Sequence, residues 1–252
     1  MMPDDRFAPY HSYVMHSYVD FLQSGGARVV PLVMNEPVDV TVEKLKKLNG
    51  VFMPGGDGDY LEYGRFVYDR IKELNDEGVY LPLWSVCMGY ENMLSYISDD
   101  GWDVMGSYEM DYGSLTLEFT VDPRETQMYS QLGDEAFLFE DHAITYNSHH
   151  WSVDPEVFET DEKLRDMFTV TAISYMPDGR PITASIESDK YPFYGTQFHP
   201  EKSSMVWLDD SDIDHTWLAI KLNSIFNDKF VQLARHSTNY YGTYEEVQKD
   251  II

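Results

Sequence analysis

Apolar positions recur every three or four residues over 10–23, where Tyr10, Val14, Tyr18 and the pair Phe21-Leu22 share one side, and Gly25-Gly26 follows. That spacing predicts an amphipathic helix stopped by glycine. The run at 28–33 (R-V-V-P-L-V) is short and nearly unbroken, as in a buried strand. A helix at 42–48 follows, then a strand at 50–53 that runs into Pro54-Gly55-Gly56. A helix at about 60–74, an apolar run at 79–84 and a helix at 88–97 complete the first half. Strands alternating with helices argue for a parallel, doubly wound sheet.

The middle of the chain changes period. Between about 101 and 192 the runs 115–121, 168–175 and 182–186 alternate in the manner of antiparallel strands. A buried strand at 191–198 then ends at His199-Pro200-Glu201. A long helix at about 213–234 closes the domain, with Trp217, Ile220, Leu222, Ile225 and Phe230 as its expected core side. The residues from about Ser237 read as a weakly ordered tail. No repeat, low-complexity tract or Gly/Ser linker divides the sequence, so 1–252 is read as one domain, with a core at about 10–236 and a tail at 237–252.

Composition narrows the function classes. A chain of 252 residues, 43% of them hydrophobic, can bury one good core. Forty-four acidic against eighteen basic residues give a formal charge of −26. That balance argues against nucleic acid, whose binding needs Lys and Arg on phosphates, and against anionic membranes. No apolar run approaches membrane-spanning length, and residues 1–8 lack the apolar stretch of a signal peptide. The single cysteine excludes an intrachain disulfide.

That cysteine, Cys87, sits in Ser85-Val86-Cys87-Met88-Gly89, where a strand pattern stops and a helix pattern begins. A sharp strand-to-helix turn places a sulfur at a helix N-terminus, where free N–H groups favour thiolate, in the geometry of a nucleophile elbow. The alternative is a buried, inert cysteine. Three segments fall at expected strand ends, where open α/β sheets place their sites: Pro54-Gly55-Gly56, Cys87, and His199-Pro200-Glu201. A cysteine hydrolase needs a thiolate, an imidazole and donors for an oxyanion. Cys87 supplies the first and His199 the second, with Glu201 orienting the ring. The backbone N–H groups of Gly56 and Met88 would form the oxyanion hole. Taken singly, Pro-Gly-Gly is an ordinary turn and His-Pro a loop; their joint occurrence at matching strand ends favours a site. Asn147-Ser148-His149-His150-Trp151 reads as a polar loop, with too few further ligands for a metal.

S-V-C-M-G-Y-E at 85–91, Y-G-T-Q-F-H-P-E-K at 194–202 and the upstream P-G-G resemble the class I glutamine amidotransferase-like fold. Three further stretches, 17–31, 50–56 and 149–153, resemble its gamma-glutamyl hydrolase branch (peptidase family C26), and the likeness runs from about 13 to 234. The resemblance implies an α/β, flavodoxin-like three-layer sandwich, with a mostly parallel central sheet and an antiparallel extension. It implies hydrolysis of γ-glutamyl peptide bonds, typically in folate poly-γ-glutamates, through a Cys87 thioester. His199 would shuttle the proton, Glu201 support it, His149 and Gly55 meet substrate, and no cofactor or metal is called for. No role carries to His150. The family is usually lysosomal, vacuolar or secreted, and often homodimeric.

Two departures accompany the likeness. Ser85 stands where the family usually has glycine, and the family's first strand, which precedes the helix at 10–23, has no counterpart here. An incomplete N-terminus is the expected explanation; otherwise an exposed sheet edge needs cover. Two other functions stay open at this point: a glutaminase domain that channels ammonia to a synthetase, and a catalytically weak interaction protein that keeps the fold.

Overall fold

The computed structural model describes residues 12–34, 36–209 and 211–252, so Tyr10 of the first predicted helix lies outside the described residues. The first helix, α1, is His16–Ser24. It begins later than its apolar spacing suggests because Met15 is extended, at φ −64° and ψ 132°. Helix α2 (Val38–Leu45), strand β1 (Val51–Met53), helix α3 (Leu61–Asp76), strand β2 (Leu83–Val86) and helix α4 (Met88–Ile97) follow the predicted alternation.

In the middle come β3 (Gly106–Leu115), β4 (Glu118–Phe119), α5 (Leu138–Asp141), β5 (Thr145–Ser152), α6 (Val157–Thr160) and α7 (Glu162–Met167). Next are β6 (Thr169–Tyr175), β7 (Pro181–Glu187), β8 (Phe193–Thr196), the short α8 (Lys202–Met205), the long α9 (Trp217–Ala234) and α10 (Tyr244–Asp250). The central sheet runs β1-β2-β8-β7-β6-β4. Strands β1, β2 and β8 are parallel, and β7, β6 and β4 extend the sheet in antiparallel fashion. Strands β3 and β5 form a separate antiparallel pair. The run expected as one strand at 115–121 is thus split between β3 and β4, and the polar stretch 147–151 is strand rather than loop.

Strand side chains alternate between two apolar layers, which makes the three-layer sandwich. Phe52, Trp84, Val86 and Tyr194 join Tyr18 and Phe21 of α1 and Phe226 and Phe230 of α9. Val51, Met53, Leu83 and Phe193 join Val67 and Ile71 of α3 and Tyr90, Met93 and Leu94 of α4. Ser85 follows the same alternation: it is fully buried, and its hydroxyl donates to the Tyr194 carbonyl at 3.1 Å. Its φ is not positive, so the serine fits a position where glycine was expected.

Three expectations are corrected. Among the described residues the run 28–33, largely half-buried, joins no ladder. An apolar run reports burial, whereas a strand also needs a hydrogen-bonding neighbour. Here the run and β1 both line a cavity of about 600 Å³, walled by Tyr18, Val29, Leu32, Phe52 and Phe230. Among the described residues β1 pairs only with β2. The tail is ordered: Thr243 and Glu246 form a capping box on α10, Val247 is buried, and the Ile252 N–H donates to the Val29 carbonyl at 3.0 Å. Trp217 is 72% exposed: it is the first residue of α9 and points away from the core that Ala219, two residues on, enters.

The elbow depends on close approach of α4 to β1. A Cβ on Gly89 would lie 2.3 Å from the Met53 carbonyl oxygen, a backbone atom that cannot swing aside. Alanine in a helix ordinarily gains up to about 1 kcal/mol over glycine. Gly89→Ala is expected instead to destabilise the fold by about 1–3 kcal/mol, the usual cost of overpacking. A thermal melt checks this, and an unchanged midpoint would contradict it.

Candidate active site

Cys87 closes β2 and caps α4, with φ 51° and ψ −119°. Among the described residues it is the one non-glycine with positive φ. Its N–H donates to the Thr196 carbonyl of β8 at 2.9 Å, and its carbonyl accepts the Glu91 N–H of α4 at 2.9 Å. Strand and helix therefore grip the peptide from both ends in a conformation that costs about 1–3 kcal/mol. This is the strained turn of a nucleophile elbow, and it lifts the side chain off the end of the sheet.

The sulfur is buried, and its hydrogen points to the Ser148 carbonyl at 3.6 Å. Burial pushes the thiol well above its ordinary range, and the Glu91 carboxylate pushes in the same direction. The Met88 N–H at the helix start opposes them, but it does not prevail. The expectation that the helix N-terminus favours thiolate is overridden by desolvation. At neutral pH the group is therefore a thiol rather than a thiolate.

His199 follows β8 and is fixed by its N–H to the Tyr146 carbonyl of β5, at 2.8 Å. Its buried ring turns Nδ1 toward Glu201 Oε1 at 3.0 Å. Glu201 is fully buried, its Oε2 has no partner, and Lys202 Nζ lies 4.0 Å from Oε1. Gly55 completes the convergence. A Cβ there would sit 2.8 Å from Cys87 Cβ, 2.8 Å from the Tyr18 hydroxyl and 3.0 Å from His199 Cε1. Cysteine, imidazole and glycine turn thus share one small space. Gly56 has φ 139°, which a side chain rarely tolerates, and this lets the turn reverse beside the sulfur.

His149 comes in from β5, 5% exposed; the Tyr108 and Trp151 backbone lies near its ring and favours protonation, but neither ring nitrogen makes a well-formed hydrogen bond with the described residues. Burial, then the charge on His199, lowers its pKa to about 4. At neutral pH it is an uncharged imidazole with a donor and an acceptor to offer. His150 lies on the opposite face of β5, exposed and held by Glu109 at 2.6 Å, away from the sulfur.

Three residues in the site escaped the sequence reading. Tyr18 was one position of an apolar helix stripe, yet its hydroxyl lies 3.1 Å from His199 Nδ1 and accepts the Gly55 N–H at 3.0 Å. The Gly55 N–H is thereby used within the protein, so this residue lines the site through its bare Cα. Glu91 and Gln197, both buried, are joined by Gln197 Nε2 donating to Glu91 Oε1 at 2.9 Å. Burial raises the Glu91 carboxyl to about 7. The available signal was an acidic residue one turn after the cysteine on an otherwise apolar helix.

A lone cysteine makes the charge logic directly readable. Negative charge on Glu91 holds the thiol up, so Glu91→Gln is expected to move the pH midpoint of Cys87 alkylation by iodoacetamide to lower pH. A midpoint that stays or rises would contradict the assigned coupling.

Comparison with known proteins follows the same lines. Residues 10–208 match the glutamine amidotransferase class-I family. Gamma-glutamyl hydrolase B of Dictyostelium discoideum is 30% identical over 248 residues, which cover 96% of this chain and 71% of that protein. Human gamma-glutamyl hydrolase is 30% identical over 247 residues, 95% of this chain and 76% of its own. A solved structure from Thermoplasma acidophilum, described as one of the subunits of GMP synthase, superposes with a TM-score of 0.51 at 17% identity. It covers 93% of this chain and 91% of that one, a likeness of fold alone.

Proposed function

The chain belongs to the gamma-glutamyl hydrolase branch of the class I glutamine amidotransferase family, and from that footing we propose a cysteine hydrolase of γ-glutamyl peptide bonds, with folate poly-γ-glutamates as substrate. The observation that carries this reading is the convergence of the strained Cys87, His199 and Gly55 on one point.

The chemistry follows from the protonation states. Cys87 rests as a thiol, so His199 takes its proton as the sulfur attacks the side-chain acyl carbon of a γ-linked glutamate. Glu201, behind Nδ1, stabilises the imidazolium that forms. The developing oxyanion meets the N–H groups of Met88 and Gly56. The imidazolium then protonates the leaving amine, and water, activated by the neutral ring, opens the thioester. His149, neutral and with no well-formed hydrogen bond to its ring nitrogens, is the residue we assign to hydrogen-bond substrate. The same acyl carbon occurs in glutamine, so the two substrates differ in the leaving group.

Incubation with a pteroyl poly-γ-glutamate across about pH 4.5–7.5 tests the reading. The expected products are glutamate or shorter poly-γ-glutamate chains, and Cys87→Ala abolishes their formation. Absence of product at every pH would overturn it. Turnover of free glutamine in preference to the γ-glutamyl peptide would favour a glutaminase instead.

A further inference from the structure

We infer that Tyr18 is a positioning residue for this site: its hydroxyl ties the Gly55 peptide, and with it the turn beside the sulfur, to the imidazole of His199. The inference rests on the reading of Cys87 and His199 as nucleophile and base. The phenol oxygen accepts the Gly55 N–H at 3.0 Å and lies 3.1 Å from Nδ1. The base needs the tautomer with its hydrogen on Nδ1, which faces both Glu201 Oε1 and the phenol oxygen, so that oxygen accepts from Gly55 and from the ring. The ring is 1% exposed, packs on Phe52 at 5.7 Å between centroids and lies 6.3 Å from the His199 ring. One atom on α1 therefore sets the spacing between the loop after β1 and the base after β8.

The hydroxyl also bears on the protonation of His199. Burial, with the charges of Glu201 and Cys87, keeps the phenol a neutral hydroxyl far above neutrality. Glu201 Oε1 lies 3.0 Å from the same Nδ1. The carboxylate and the phenol oxygen both accept at Nδ1, so both favour Nδ1–H and leave the other ring nitrogen free to take the thiol proton. The other titratable groups around the ring are Lys202 beside Glu201, Cys87 with Glu91 from the elbow and α4, and His149 and Tyr146 from β5. Tyr60 faces Tyr18 itself. Nδ1 is met by Tyr18 and Glu201 together.

Tyr18→Phe removes the hydroxyl and keeps the ring. The expected result is a fall in kcat on the order of 10- to 100-fold, as for other small misplacements of catalytic groups. KM stays within about twofold, because no substrate contact is lost. The acid limb of kcat/KM moves to lower pH, since one of the two acceptors that hold the imidazolium is lost. Alkylation of Cys87 by iodoacetamide, which needs no turnover, moves its midpoint to higher pH. Phe52→Leu, which trims the ring's packing and spares the hydroxyl, leaves kcat and both profiles in place. Should Tyr18→Phe fail to fold, 3-fluorotyrosine at position 18, a weaker acceptor of the same shape, likewise moves the acid limb to lower pH. The inference is overturned if Tyr18→Phe keeps the wild-type kcat and profiles, if fluorotyrosine leaves the limb in place, or if Phe52→Leu loses as much kcat. If the wild-type protein hydrolyses no γ-glutamyl substrate, the proposed function fails, and the alkylation midpoints still decide the role of Tyr18.

Discussion

The backbone of Cys87 is pinned at positive φ by two hydrogen bonds that belong to different elements, one to β8 and one from α4. Neither element could relax it alone, because a shift toward ordinary φ would break the sheet contact or unwind the first helical turn. The rest of the site is arranged around that fixed point. Gly89 lets the helix approach the Met53 carbonyl, and Gly195 leaves room for Tyr90 under the strand. Gly55 lets the turn after β1 come within contact of the cysteine. A strain of about 1–3 kcal/mol is sustained because the sheet and both apolar layers over-determine the turn.

Dryness is the second organising fact. Cys87, Tyr18, Glu91 and His149 are all buried, and desolvation moves each toward its neutral form. A formal charge of −26 thus surrounds a site in which burial opposes charge on these four groups. On the proposed mechanism, charge develops there as the thiol proton moves to His199. In a desolvated pocket the fixed donors and Glu201 act on that developing charge at greater strength than they would in water.

How much of this was legible follows from the range of each interaction. The elbow, the glycine turn and the His-Pro-Glu segment could be read because each is local, a strand end followed by a turn. Ser85 could be reconciled by the period-two alternation of β2. The contacts of Tyr18 with Gly55 and His199 span 37 and 181 residues, and a tyrosine in an apolar helix stripe looks like core. Gln197 and Glu91, 106 residues apart, were hidden for the same reason. The run 28–33 was misassigned because apolar character signals burial but not a ladder partner. The polar tail was misread because its order comes from a capping box and one buried valine. Trp217 shows the converse, since helical spacing could not say where α9 begins.

The central claim is that Cys87 carries the acyl group. Acid-quenched intact-mass spectrometry during turnover of a pteroyl poly-γ-glutamate, followed by peptide mapping, addresses it directly. The account predicts an acyl adduct confined to the peptide containing Cys87 and absent from Cys87→Ala. Product formation that persists in Cys87→Ala, or an adduct on any other residue, would contradict it.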